Sequence, residues 1–142
     1  RARIRRNAGA PYAVLRAMIA RSLVSAGLNG TLGLGHRNAG NAFNLADDFI
    51  EPYRFLVDVH LADDADTWSE APEFDSRAKR YLLGFVKRPV RMAGQDMRLH
   101  AAIDTSIVSF VRILEGKGKK LVLPEGLVID RDNKEWQSTD GA

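Results

Sequence analysis

Gly35-His36-Arg37-Asn38-Ala39-Gly40-Asn41-Ala42-Phe43-Asn44-Leu45-Ala46-Asp47-Asp48-Phe49-Ile50-Glu51-Pro52-Tyr53-Arg54 is the stretch around which the rest of the chain is arranged. Its first half is small and polar, with two glycines, and reads as a loop. Its second half turns helical. Asn44 is an N-cap residue type, and Asp47 falls in the first turn, where the helix dipole favours negative charge. Leu45, Phe49, Leu56 and Val57 or Val59 supply an apolar face that carries the helix to about Leu61. Pro52 lies inside this span. It has no N–H and frees the carbonyl of Asp48, so the helix is expected to kink there, or to break and restart.

Asp47, Asp48 and Glu51 fall within five residues. On a helix Asp48 and Glu51 are three apart and Asp47 and Glu51 four apart, so either pair can share a side. Like charges placed together repel unless a cation sits between them. A histidine on a glycine-rich approach, followed by carboxylates, suits a divalent ion held near a phosphate. The chain has no cysteine, so ligands must be His, Asp, Glu or backbone oxygen, which favours Mg²⁺ or Mn²⁺ over structural zinc. A plainer reading stands beside this one: Asp47 caps, Glu51 pairs with Arg54 at i+3, and His36 is a surface residue.

Upstream, Leu15, Met18, Ile19 and Leu23 form one face of a helix expected over 12–26. Pro11 sits just inside its start, Gly27 supplies a left-handed cap, and Arg16 and Arg21 lie off the apolar stripe. Residues 1–11, with four arginines in the first six, read as a disordered or divergent basic arm. Downstream, residues 62–75 carry six acids and no base and read as a solvated linker. A short helix follows from Asp75 or Ser76 to about Val86, with Leu82, Leu83 and Val86 expected inward. Val90-Arg91-Met92 and Met97-Arg98-Leu99 alternate around Ala93-Gly94-Gln95-Asp96, a small β-hairpin. A last helix is expected from Leu99 to Glu115, buried through Ile103, Ile107, Phe110, Val111 and Leu114 and capped by Gly116. Residues 131–142 read as a polar tail. The fold class is mainly α: a multi-helix domain over 12–130 with one small hairpin.

The net charge is only +3, yet residues 1–46 hold seven arginines and no acid. That asymmetry points to a polyanion on one side of the molecule. No apolar run approaches the roughly 18 residues of a membrane helix. With no visible signal peptide, the expected location is cytoplasmic, with no membrane partner.

The pattern Gly33-x-x-His36-x-x-x-x-Asn41-x-Phe43-x-Leu45-x-x-Asp48-x-x-Glu51-Pro52-Tyr53-Arg54, with Val57-Asp58 just after, resembles a known family. Residues 12–61, and more loosely 76–124, are similar to the C-terminal helical domain of the CRISPR-associated spacer-acquisition integrase (CRISPR-associated endonuclease one, type II form). The resemblance implies a metal-dependent DNA endonuclease and integrase, a hydrolase acting on ester bonds in antiviral defence. Such an enzyme joins short duplex DNA, the spacer precursor, to a repeat array by attack of a DNA 3′-hydroxyl, with Mg²⁺ or Mn²⁺ as cofactor. It works as a homodimer with a small companion adaptation protein of the same operon. The resemblance assigns His36 and Glu51 as metal ligands and Asp48 as a further acid of the catalytic site. It places Arg37, Asn41 and Arg54 at DNA-contacting positions.

The family's first metal-binding glutamate lies upstream of the helix at 12–26, and here no Glu precedes position 51. The family's N-terminal β-sandwich has no counterpart in these residues. The expectation is therefore a truncated copy, weak or inactive by itself. The alternative is a non-catalytic helical DNA-binding or assembly module, supported by the basic first third and the missing acid.

Overall fold

The computed structural model describes residues 9–35, 38–63 and 76–127, apart from the side chain of Arg77. The first helix, α1, spans Gly9–Ser25. Leu15, Ile19 and Leu23 recur every four residues and are 0% exposed, so this stripe faces the core while Met18 packs at its edge. The helix starts three residues earlier than its apolar pattern suggests and takes in Pro11, which is buried. Its end is set by Gly27 at φ +78°. The Gly27 N–H donates to the Val24 carbonyl and the Leu28 N–H to that of Leu23, each at 3.0 Å. This paired closure needs a left-handed residue, which glycine adopts without a side-chain clash.

The central helix is broken as Pro52 requires. Helix α2, Asn44–Ile50, passes into a 3-10 turn over Glu51–Tyr53, and α3 resumes at Arg54–Asp63. Tightening to 3-10 bonding avoids the hydrogen bond that the proline cannot donate. Asn44 does not cap α2. Phe43 stands at that position without a side-chain bond, while Asn44 is buried and its amide donates to the carbonyls of Thr31 (3.0 Å) and Asn38 (2.8 Å). A buried amide that joins two points of a loop outweighs one capping bond that the loop geometry leaves out of reach.

Helix α4 spans Ser76–Lys87. Ala78, Tyr81 and Phe85 are its buried face, and Leu83 is 57% exposed. The expected inward set of Leu82, Leu83 and Val86 is thus out of phase, with Leu82 and Val86 only at the flank. The reason lies across the interface. The buried His60 ring of α3 lies 4.2 Å from the Tyr81 ring and 5.4 Å from that of Phe85. The two aromatics one turn apart bury more area than the leucines would.

Strands β1 (Pro89–Met92) and β2 (Gln95–Arg98) pair antiparallel, with Met92 opposite Gln95. The turn is therefore two residues long, Ala93 and Gly94, at φ +50° and +73°. Two successive positive φ values match the twist of a hairpin, which lets Gln95 and Asp96 join the ladder instead of the turn. Strand β3, Gly126–Leu127, adds to the free edge of β1. Its sequence is too short to have announced itself. Helix α5, Leu99–Leu114, follows β2 directly and buries Ile103, Ile107 and Phe110. Leu114 is 60% exposed, contrary to its place in the apolar pattern, because the chain turns off at Gly116 (φ +71°) before anything covers it. The α1 stripe packs against α2, α4 and α5. Phe49 and Phe110 meet edge to face at 5.3 Å, and the buried Tyr53 hydroxyl lies 2.7 Å from Ser106 Oγ, so α2 and the 3-10 turn after it are both pinned to α5.

Candidate functional site

The three neighbouring acids point in three directions. Asp47 leaves the first turn of α2 and meets Arg16 of α1. Arg16 Nη2 donates to Asp47 Oδ2 at 2.9 Å, and Nε approaches Oδ1 at 2.8 Å, off the N–H axis, as an ion-pair contact more than a directed hydrogen bond. Asn41 Nδ2 adds a second donor to Oδ2 at 2.8 Å. The same guanidinium donates to Asn41 Oδ1 at 3.2 Å and lies 4.4 Å from the Phe43 ring centroid. Arg16 therefore gathers the loop, its aromatic and the helix start at one point. A groove of about 430 Å³ between α1 and α2 runs beside this cluster, lined by Tyr12, Arg16, Phe43, Asp47 and Ile50 among others.

Asp48 turns the opposite way. Its Oδ2 accepts the backbone N–H of Leu34 and, at 3.0 Å, that of Gly35. Glu51 opens the 3-10 turn and stays in water, with its side chain 58% exposed. Arg54, one turn on, comes within 3.5 Å of Glu51 Oε1, a loose i,i+3 pair in which both partners are more than half exposed. Such a pair contributes little and leaves the carboxylate free to turn toward a cation. The Arg54 guanidinium also lies 5.9 Å from the centroid of the Tyr12 ring. Partial burial, then the charge of Asp58, raise the Tyr12 phenol above its ordinary value, and Arg54 partly offsets them.

His36 and Arg37 lie outside the described residues, so their side chains are not placed. Among the described residues no three His, Asp or Glu side chains gather where they could hold a metal. In type, the oxygen donors Asp48 and Glu51 fit a hard divalent cation. In number they are fewer than the ion needs, and Asp48 already serves two amides. Asn41 is turned inward: its Oδ1 accepts from the Phe43 N–H at 2.9 Å, and its amide nitrogen serves Asp47.

Two residues that matter were not evident from local pattern. Arg16 lies 31 positions from Asp47. Its one signal was a charge set off the apolar stripe of α1. His60 is buried on α3, with Nε2 2.9 Å from the Tyr81 carbonyl and Nδ1 accepting from Arg88 Nε at 3.1 Å, while Arg88 also pairs with Asp63. Its place among Leu56, Val57 and Leu61 on the apolar face was the available signal.

The comparisons with known proteins follow these same elements. The family model of the CRISPR associated protein Cas1 matches residues 11–83, from Pro11 of α1 through the loop and all three acids into α4. The chain is also 38% identical over 127 residues to the CRISPR-associated endonuclease Cas1 of Neisseria meningitidis serogroup C (strain 8013). That similarity covers 89% of this chain and 40% of the relative, so the chain spans well under half of the relative's length. Because the match takes in the broken helix, its acids and the helices that pin it, the chain belongs to the Cas1 family of CRISPR-associated proteins.

Proposed function

We propose that this chain is the helical part of a metal-dependent DNA endonuclease and integrase that acts in CRISPR spacer acquisition. The observation that carries the reading is Glu51: an acid of the family pattern, held by a proline-broken turn, exposed, and tied only loosely to Arg54. Similarity to a relative named as an endonuclease supports the chemistry. His36 and Glu51 are the proposed ligands of a Mg²⁺ or Mn²⁺ ion. When bound, such an ion supplies Lewis-acid activation of the scissile phosphate and steadies the leaving 3′-oxygen. Arg54 sits next to Glu51 with its guanidinium half in water, where it can pair a DNA phosphate. Asn41 contributes by shaping the loop that carries Arg37, through its bonds to Asp47 and Phe43.

Duplex DNA, both spacer precursor and repeat array, is the proposed substrate, and a homodimer with a small companion protein the proposed assembly. Among the described residues no helix is long and apolar enough to cross a membrane. No Glu precedes position 51, so these 142 residues alone are proposed to hold the ion weakly. The test is a Mn²⁺ titration of thermal stability. The wild-type chain should melt higher with Mn²⁺, and Glu51→Ala should abolish the rise. An equal rise in the variant would refute Glu51 as a ligand.

A second reading is a non-catalytic DNA-binding or assembly module. It is favoured by the arginine-rich, acid-free first third and by the commitment of Asp48 to the backbone amides of Leu34 and Gly35. Duplex DNA binding that Mn²⁺ leaves unchanged, with no Mn²⁺ effect on melting, would decide for it.

A further inference from the structure

We propose that Asp48 is a positioning residue, which fixes the backbone leading into His36 by binding the amides of Leu34 and Gly35. Its functional consequence rests on the reading above, in which His36 and Glu51 share an ion. Two successive N–H groups converge on one carboxylate oxygen, an arrangement that concentrates partial positive charge on an anion. Nothing apolar does the same work in this loop. Leu32 is 70% and Leu34 59% exposed, so side-chain packing does not hold the segment down. Gly35 eases the approach: a Cβ there would lie 3.2 Å from Asp48 Oδ1, a tight contact that would press on a carboxylate that two amides already hold.

The neighbouring acids thus divide two tasks. Asp47 docks α2 onto α1 through Arg16, and Asp48 docks the loop onto α2. Glu51 lies three residues after Asp48, less than one helical turn. One anchor of the loop and the exposed acid therefore sit on adjoining turns, Asp48 in α2 and Glu51 at the start of the 3-10 turn. The approach to His36 is set relative to Glu51 before any ion arrives.

The experiment measures amide hydrogen exchange in the full 142-residue chain without metal, by NMR, for wild type, Asp48→Ala and Asp48→Asn. Charge-assisted hydrogen bonds of this kind hold by more than about a factor of ten, so Leu34 and Gly35 should exchange about tenfold faster in Asp48→Ala. The Asn variant keeps an acceptor oxygen and should stay within about threefold of wild type. Amides of Ile103 and Ile107 in α5 should be unchanged in both, which separates loop release from unfolding. Mn²⁺ affinity, by calorimetry, should fall in Asp48→Ala and return in Asp48→Asn. Unchanged exchange in Asp48→Ala overturns the proposal. So does an Asn variant that keeps its loop protection but loses Mn²⁺ as fully as Asp48→Ala, since that marks a ligand. A wild type that binds no Mn²⁺ refutes the metal reading instead, while the exchange data still decide the role of Asp48 in the loop.

Discussion

Asp47→Ala is the perturbation that best separates a structural acid from the proposed metal-binding acid on the same broken helix. The carboxylate is the acceptor for Arg16 Nη2 at 2.9 Å and Asn41 Nδ2 at 2.8 Å, and its side chain is only 19% exposed. Each such bond contributes about 1–1.5 kcal/mol net, one of them to a charged donor. Arg16 is 38% exposed, so water can take up its released guanidinium, and the penalty for stranding a charge is small. The expected loss is about 2 kcal/mol. For a domain of this size that corresponds to a fall in Tm of about 6–10 °C. Glu51→Ala, by contrast, removes an exposed carboxylate from a loose pair and should leave stability within about 0.5 kcal/mol of wild type. Urea unfolding followed by circular dichroism measures both variants, and Arg16→Ala with the double variant closes the cycle. A coupling of about 1 kcal/mol or more is expected between Arg16 and Asp47. An Asp47→Ala variant as stable as wild type would show that the α1–α2 docking does not depend on this pair.

Tyr53→Phe should cost about 1 kcal/mol near neutral pH by leaving Ser106 without its partner. Burial pushes the Tyr53 phenol up to about 12, from 10 in the open chain. The unfolded state therefore gives up its proton first, and the tyrosine's contribution is intact below pH 10 and lost as pH rises toward 12. Across that window wild type should lose up to about 2–3 kcal/mol more than the Phe variant, read from unfolding at stepped pH; parallel losses would contradict the burial argument. His60→Ala opens a cavity between Tyr81 and Phe85 and frees Arg88, and should cost about 3 kcal/mol by chemical denaturation. In wild type the imidazole ¹⁵N shifts should report the Nε2–H tautomer, because Arg88 donates to Nδ1; an Nδ1–H ring would show that the network is drawn the wrong way round.

The elements whose signals are local in the chain were legible beforehand. The α1 stripe of Leu15, Ile19 and Leu23 depends only on a 3.6-residue period, and the closure at Gly27 only on a residue that tolerates φ +78°. The break at Pro52 follows from a missing N–H, whatever the surroundings. The hairpin was placed but its turn was drawn too long, since a two-residue turn needs Ala93 at φ +50°, a conformation alanine does not advertise, and only then do Gln95 and Asp96 pair with Met92 and Arg91. The phase of α4 was misread because Leu82–Val86 and Tyr81–Phe85 are both four residues apart and satisfy a helical period equally, and the His60 ring on the facing helix chooses between them.

Residue order alone thus determined which segments are helical, where they stop, and that three acids crowd one broken helix. It also carried the family pattern, which is a property of spacing. It could not say what each acid does. Asp47, Asp48 and Glu51 are nearly equivalent by type and position, and their roles separate only when distant groups come within reach: Arg16 at one, the Leu34 and Gly35 amides at another, and bulk water at the third. Charges are satisfied by whatever the folded chain brings within about 3 Å, and that neighbour is chosen by packing across the whole domain, not by the residues on either side.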